Sequence, residues 1–250
     1  MVTTVQSIIL GLVQGLTEFL PVSSSAHLVF LQSLFKWTTE NVTFDVLLHF
    51  ATLCAVLVYF RKDILKFLKD LRFLSLIVIG TIPTGIIAIL SKDYVEQVFS
   101  EPVFSAVFLF VTALLLYFAQ RYGKENKAMG NFSVWEAFFV GIIQGIAILP
   151  GISRAGATIS MGMFLGWKRG DSARFSFILS IPAILAATLL KVKETGIGSI
   201  SYIYIIGMTC ALIGGVFALH TLFILMKKSK LHIFSLYCII LGLIILVLKS

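Results

Sequence analysis

Residues 14–27 are Gln14-Gly-Leu-Thr-Glu18-Phe-Leu-Pro21-Val-Ser23-Ser24-Ser25-Ala-His27, at the end of an otherwise apolar segment. Gln14 and Glu18 stand at positions i and i+4, so they share one face of a helix. Pro21 ends that helix and leaves backbone groups without partners. The serines that follow precede a second short helix, whose first amides are unpaired. We therefore interpret the stretch as the tip of a helical hairpin, with helices at about 5–20 and 23–35.

The same pattern returns in the second half of the chain. Gly11-Leu-Val-Gln14-Gly15 parallels Gly141-Ile-Ile-Gln144-Gly145, and Pro21-Val-Ser-Ser24 parallels Pro150-Gly-Ile-Ser153. A second hairpin is expected there, with helices at about 134–149 and 153–167. Irregular backbone at membrane depth is tolerated only where protein buries it or a wet cavity adjoins it. Both hairpins are therefore predicted to be re-entrant, with broken tips.

The composition is that of a membrane protein. The chain has 250 residues, of which 58% are hydrophobic and only 13% charged, whereas a soluble domain carries about 25% charged residues. The apolar residues gather in blocks close to the roughly 20 residues that cross a bilayer. Six blocks are long enough to cross, at about 43–60, 74–90, 103–120, 174–190, 202–225 and 231–248. We expect an all-α integral membrane protein with six transmembrane helices and two re-entrant helical hairpins.

The loop charges predict an orientation. Lys and Arg concentrate in the segments 61–72, 121–133, 168–174 and 226–230. The 91–102 loop instead sets Lys92 against Asp93, Glu96 and Glu101. The positive-inside rule places the basic segments on the cytoplasmic face and the 91–102 loop outside. Hairpin one then enters from outside, hairpin two enters from the cytoplasm, and both termini lie outside.

Topology and motif matching together predict an inverted-topology repeat. Residues 1–250 form a single membrane domain, with a first repeat at 1–120 and a second at 121–250. In such folds the working site lies at the interface of the repeats and is built from broken helices. The net charge of +8 lies mostly between apolar blocks, so it is assigned to orientation and to anionic lipid headgroups, with no nucleic acid as a partner.

The two tips together predict an anion site. A carboxylate such as Glu18 in an apolar run marks a functional site by default, and unpaired helix amides bind anions. His27 follows the serines closely, and the guanidinium of Arg154 is suited to bidentate phosphate binding. The candidate catalytic residues are Ser24, His27, Glu18 and Arg154. The candidate substrate-binding residues are Gln14, Ser23, Ser25, Ser153, Gly156 and Thr158.

Structural roles compete with these assignments. Glu18 and Arg154 can form a buried ion pair that holds the repeats together, and His27 can be a satisfied interior histidine. One of the serines is expected to cap the second helix. Gln14 and Gln144 can bond between helices. His49, His220 and His232 lack comparable neighbours in the sequence and are assigned structural roles.

At these residues the chain resembles the undecaprenyl-diphosphate phosphatase family, also called bacitracin-resistance proteins, over nearly its full length. The resemblance rests on residues 14–27 and on Pro150-Gly-Ile-Ser-Arg154-Ala-Gly-Ala-Thr-Ile-Ser160. It is supported by Phe44-Asp45-Val-Leu-Leu-His49, Tyr59-Phe-Arg-Lys-Asp63 and Ala173-Arg174-Phe-Ser-Phe-Ile-Leu-Ser-Ile-Pro182. The family accepts Glu or Gln where this chain has Gln14, which removes one metal-binding carboxylate. Ser25 and Ala26 replace a Thr-Gly that is often found there.

The resemblance implies an enzyme that hydrolyses undecaprenyl diphosphate to the monophosphate, recycling the lipid carrier of cell-wall synthesis. It implies a plasma-membrane protein with a site reached from the extracytoplasmic side, and often a divalent cation. Mg²⁺ or Ca²⁺ is expected, with Glu18 and Gln14 as candidate ligands. The expected partners are the polyprenyl diphosphate lipid and the bilayer, with a homodimer as an open alternative.

Three mechanisms stay open at the level of sequence. Ser24 is the preferred nucleophile, with His27 as its base and later the acid. Alternatively His27 is itself the nucleophile, or Glu18 activates water directly. Glu18 otherwise orients His27 or binds Mg²⁺. The competing function is a polyprenyl-phosphate flippase, which needs Arg154 and the helix termini but no nucleophile and base.

Overall fold

The computed structural model describes residues 2–35, 42–92, 94–95, 102–195 and 201–249. The described residues are helical, apart from turns, loops and one isolated bridge between Lys127 and Trp167. The acidic residues expected to mark the outer loop, Asp93, Glu96 and Glu101, lie outside the described residues.

The helices are numbered in chain order, and one 3-10 turn, Met129–Asn131, precedes α7. Their bounds are α1 Thr4–Phe19, α2 Ser24–Leu34, α3 Val42–Tyr59, α4 Arg61–Phe67, α5 Leu71–Leu90, α6 Pro102–Tyr122, α7 Val134–Ile146, α8 Arg154–Phe164, α9 Arg169–Thr195, α10 Tyr202–Lys227 and α11 His232–Lys249.

Five of the described helices are long and apolar enough to cross a membrane, namely α5, α6, α9, α10 and α11. A sixth span results if α3 and α4 count together, although the chain bends by 75° between them. The expectation of an all-helical, multi-pass membrane protein is confirmed. Each of the blocks predicted to cross corresponds to one of these helices.

Both expected hairpins are present as pairs of short helices. The first joins α1 to α2 through Pro21, and the second joins α7 to α8 through Pro150. Each begins with a capping box, formed by Thr3 with Gln6 and by Ser133 with Glu136. Because these boxes satisfy amides that the first turn leaves free, they fix where each hairpin starts.

The matched glycines let the hairpins pack closely against spanning helices. A Cβ added at Gly11 would collide with the carbonyl of Gly207 on α10. A Cβ added at Gly141 would likewise collide with the carbonyl of Gly80 on α5. Small residues at such contacts let helix backbones approach each other in a membrane. The glycines found in both hairpins therefore hold α1 against α10 and α7 against α5.

Candidate active site

The tip of the first hairpin is a tight turn that ends at Ser23. Ser23 has φ of 65°, in a region that residues with a Cβ rarely occupy. Its side chain accepts a hydrogen bond from the amide of Ala26 at 3.4 Å, and so caps α2. The expectation that one of the three serines serves as a cap is confirmed for Ser23.

The two tips touch each other at Ser23. The amide of Gly151 donates to Ser23 Oγ at 3.1 Å. Gly151 has φ of 102°, and a Cβ there would collide with the carbonyl of Ser105 on α6. Thr112, also on α6, accepts from the amide of Ser153 and donates to the carbonyl of Gly151, both at 2.9 Å. A spanning helix therefore braces the second tip where it meets the first.

Glu18 stands at the centre of the joined tips. Its Oε2 accepts from Ser24 Oγ at 2.6 Å and from Gln14 Nε2 at 3.0 Å. Its Oε1 accepts from Arg154 Nη2 at 2.6 Å. The residue is only 9% exposed. Four of the predicted site residues, Gln14, Glu18, Ser24 and Arg154, are thus one hydrogen-bonded cluster.

One donor and one acceptor of the cluster have no hydrogen-bond partner among the described residues. Arg154 Nη1 is buried and has no hydrogen-bond partner among the described residues. Gln14 Oε1 is also buried without a hydrogen-bond partner among the described residues, because the side chain directs its Nε2 to Glu18. An unpaired guanidinium arm at two helix N-termini is suited to an oxyanion. The ion pair of Glu18 with Arg154 therefore exists, and it leaves half of the guanidinium fork available.

The geometry joins Ser24 to Glu18 and not to His27, the base predicted from the sequence. His27 Nδ1 lies 2.7 Å from the carbonyl oxygen of Ser23, and Nε2 lies 2.7 Å from the hydroxyl of Tyr237. Both ring nitrogens are thus engaged elsewhere. Glu18 also makes no described contact with His27, so its predicted role in orienting that ring is not seen. The cause is the turn at Ser23, whose carbonyl points back to His27.

Tyr237 and His49 are neighbours of the site that the sequence analysis missed. Tyr237 belongs to α11, and nothing in its apolar surroundings distinguishes it. His49 was assigned a structural role, but its Nδ1 lies 2.9 Å from Gln14 Nε2 and 3.6 Å from Glu18 Oε2. The spacing of Asp45 and His49 on one face of α3 was the available signal.

The remaining predicted residues divide into two groups. Ser25 Oγ lies 3.1 Å from Ser23 Oγ, and Ser153 Oγ caps α8 by accepting from the amide of Gly156 at 3.1 Å. These residues belong to the tips. Thr158 does not reach the cluster, because its hydroxyl bonds to the carbonyl of Arg154 at 2.7 Å and lies 2.5 Å from Ser176 Oγ. These contacts place Thr158 between α8 and α9, and they give no support to the prediction that it binds substrate.

The donor set for a cation is small. Among the described residues no three His, Cys, Asp or Glu side chains lie close enough together to hold a metal ion. Glu18 supplies one carboxylate, and the unpartnered Gln14 Oε1 is a second oxygen. Mg²⁺ typically takes one or two carboxylates, keeps several waters and binds substrate phosphates. The residues present therefore fit a cation held largely by the substrate and water.

Comparison with known proteins identifies the relatives of this arrangement. The family model of bacitracin resistance protein BacA matches residues 7–244. The chain belongs to the BacA family.

An undecaprenyl-diphosphatase of Halothermothrix orenii is 43% identical, with 97% of each chain covered. One of Carboxydothermus hydrogenoformans is 42% identical over 98% of this chain and 97% of the relative. An undecaprenyl-diphosphatase of Methanosphaera stadtmanae is 38% identical, with 100% of this chain and 99% of the relative covered. The resemblance found in the motifs is confirmed, and it extends over the whole site.

Proposed function

We propose that this protein hydrolyses undecaprenyl diphosphate to undecaprenyl monophosphate and inorganic phosphate. The observation that supports this most strongly is the hydroxyl of Ser24 lying 2.6 Å from Glu18 Oε2, while Arg154 holds the other oxygen. A nucleophile, a base and an anion-binding cation thus share one buried cluster. The family's relatives carry the name of this activity. Transport alone needs no nucleophile beside a carboxylate, so a flippase is not favoured.

In the first step Ser24 attacks the terminal phosphorus. Glu18 takes the hydroxyl proton, and the bond from that phosphorus to the bridging oxygen breaks. Undecaprenyl monophosphate leaves, and a phosphoserine remains. Arg154 Nη1 and the first amides of α2 face the charge that develops on the transferred group. This assignment replaces His27 with Glu18 as the base for Ser24.

In the second step water attacks the phosphoserine. The bond between phosphorus and Ser24 Oγ breaks, and Glu18 returns its proton to that oxygen. Inorganic phosphate is released, and the cluster is restored. The water must lose a proton in this step, and His27 is the remaining titratable group at the first tip. The alternative in which His27 is the nucleophile is disfavoured, because its Nε2 is already bonded to Tyr237.

A divalent cation, Mg²⁺ or Ca²⁺, is proposed to bind with the substrate at this cluster, where Glu18 and Gln14 would be its protein ligands. When bound, it supplies positive charge to the diphosphate. Gln14 Oε1 is buried without a partner among the described residues, which supports its role as a ligand. His49 and Glu18 lie within hydrogen-bond distance of the amide nitrogen of Gln14, which leaves its oxygen for another partner.

The proposed architecture is an inverted-topology repeat in the plasma membrane, with α1–α6 matched to α7–α11. The packing supports the match, since α1 lies against α10 and α7 against α5. The helices that contact the tips are matched in the same way. Helix α6 of the first repeat contacts the second tip through Thr112, and α11 of the second repeat contacts the first tip through Tyr237. The family resemblance supports entry of the substrate from the extracytoplasmic side.

Phosphate release from undecaprenyl diphosphate by the purified protein in detergent tests the activity, with Mg²⁺ and with a chelator. Arg154→Ala should lose on the order of 10²–10³ in kcat, as expected for a lost charge-stabilising donor. The matched control is Arg121→Ala, since Arg121 lies at the end of α6 beside Tyr122 and away from the cluster. Equal rates of phosphate release by the two variants would show that Arg154 has no role in catalysis. No phosphate release by the wild type would refute the proposed phosphatase activity.

A further inference from the structure

Helix α11 reaches the first tip at two neighbouring residues. The hydroxyl of Tyr237 lies 2.7 Å from His27 Nε2, and the two rings are stacked with centroids 5.7 Å apart and planes 10° apart. Cys238 Sγ lies 3.6 Å from the carbonyl oxygen of Pro21. The first contact joins two groups that can pass a proton to each other, whereas in the second the thiol donates a weak hydrogen bond to a carbonyl. Neither residue has a role in the hydrolysis described above.

The hydrogen bonds determine where the protons lie. A carbonyl oxygen only accepts, so His27 Nδ1, 2.7 Å from the carbonyl of Ser23, carries a hydrogen. In a neutral imidazole Nε2 is then an acceptor, and the hydroxyl of Tyr237 donates to it. The oxygen of that hydroxyl still has lone pairs that accept hydrogen bonds.

The hydrogen bonds give the order of contact at His27 Nε2. Tyr237 is 44% exposed, whereas His27 is 9% exposed. Both nitrogens of His27 are occupied, one by the carbonyl of Ser23 and one by the tyrosine. The tyrosine hydroxyl therefore lies between the imidazole and any water that approaches Nε2.

We propose that Tyr237 is a catalytic residue of the second step of the hydrolysis, a proton relay through which His27 accepts the proton of the attacking water. This inference rests on the proposed function. The water donates its proton to the tyrosine oxygen as the tyrosine proton passes to His27 Nε2. The oxygen of the water bonds to the phosphorus, and the bond to Ser24 Oγ breaks. Glu18 protonates Ser24 Oγ, and the imidazolium then loses its proton to solvent.

The test uses Tyr237→Phe, which removes the hydroxyl and keeps the ring, and undecaprenyl diphosphate labelled in its terminal phosphate. The first step does not need the hydroxyl, so the variant should release one equivalent of undecaprenyl monophosphate and retain the label on Ser24. Release of phosphate should then fall on the order of 100-fold, as expected for lost base catalysis, and KM should fall with it because the phosphoserine accumulates. Mass spectrometry of the acid-quenched protein locates the phosphoserine.

Two controls separate this role from packing. Cys238→Ala removes the neighbouring contact of the same helix with the tip, and Tyr117→Phe removes a hydroxyl from exposed Tyr117 on α6. Both should turn over like the wild type without trapped label. The inference is overturned if Tyr237→Phe turns over normally, if it is slow without label on Ser24, or if Cys238→Ala traps label equally. An inactive wild-type protein would instead refute the proposed function itself.

Discussion

Arg154 Nη2 lies 2.6 Å from Glu18 Oε1, although 136 positions separate the two residues in the chain. The contact joins the two hairpins and brings the only described cation of the cluster to its only carboxylate. It has a structural consequence as well as a chemical one, because both side chains are largely buried. Each is the counter-ion that makes burial of the other tolerable.

Loss of Arg154 should therefore destabilise the protein through Glu18. Arg154→Ala leaves a buried carboxylate without its counter-ion, which typically costs about 3–5 kcal/mol. In a Glu18→Gln background the same substitution should cost clearly less, because no uncompensated charge remains. Thermal or denaturant unfolding in detergent, arranged as a double-mutant cycle, measures the difference. Equal losses in the two backgrounds would show that the pair is not coupled.

Ser24→Ala should abolish turnover while leaving the protein folded and able to bind substrate. The variant removes the hydroxyl that donates to Glu18, and a lost nucleophile costs on the order of 10⁴ or more in kcat. Ser33→Ala is the matched control, because Ser33 lies on the same helix without a described contact to the cluster. Phosphate release at saturating substrate distinguishes the two. Normal turnover by Ser24→Ala would exclude the phosphoserine mechanism.

His49 should act by holding Gln14. His49→Ala removes the acceptor for Gln14 Nε2 and should lower kcat roughly tenfold, a typical effect of losing a group that orients a ligand. His49→Asn places an amide oxygen near the position of Nδ1 and should restore most of the rate. His220→Ala, on exposed His220 of α10, serves as the control. If the alanine and asparagine variants lose kcat equally, the hydrogen bond between His49 and Gln14 does not contribute to the rate.

The close contact of α1 with α10 should not tolerate a side chain. Gly15→Leu places bulk against the carbonyl of Ala211 and should destabilise by about 2 kcal/mol or more. Gly85→Ala is the control, because a Cβ on Gly85 meets nothing within 4 Å. That variant should be neutral or slightly stabilising, since alanine favours helix. Unfolding midpoints in detergent test both, and a harmless Gly15→Leu would contradict the packing.

Much of the arrangement was predictable from local signals. Pro21 and Pro150 located both tips, and the apolar blocks located the spans. The cost of placing Glu18 and Arg154 in apolar surroundings marked them as partners in a site. These features depend on a residue and its near neighbours, which is the information that a single sequence contains.

The pairing of individual atoms was not predictable. The sequence placed Ser24, His27 and Glu18 within a few residues, but the positive φ of Ser23 decides which of them face each other. Tyr237 stands 210 positions from His27, on a helix whose orientation depends on packing against α6. Such contacts depend on tertiary structure, and propensity and spacing do not encode them.

The central claim is that Glu18 activates Ser24 for attack on the lipid diphosphate. Glu18→Gln tests it most directly, because the amide can still accept a hydrogen bond from Ser24 but cannot take its proton. Phosphate release from undecaprenyl diphosphate should be measured for the wild type and this variant at matched folding and substrate binding. The account predicts rapid release by the wild type and loss of turnover on the order of 10²–10⁴ for the variant. Turnover by Glu18→Gln at the wild-type rate would contradict it.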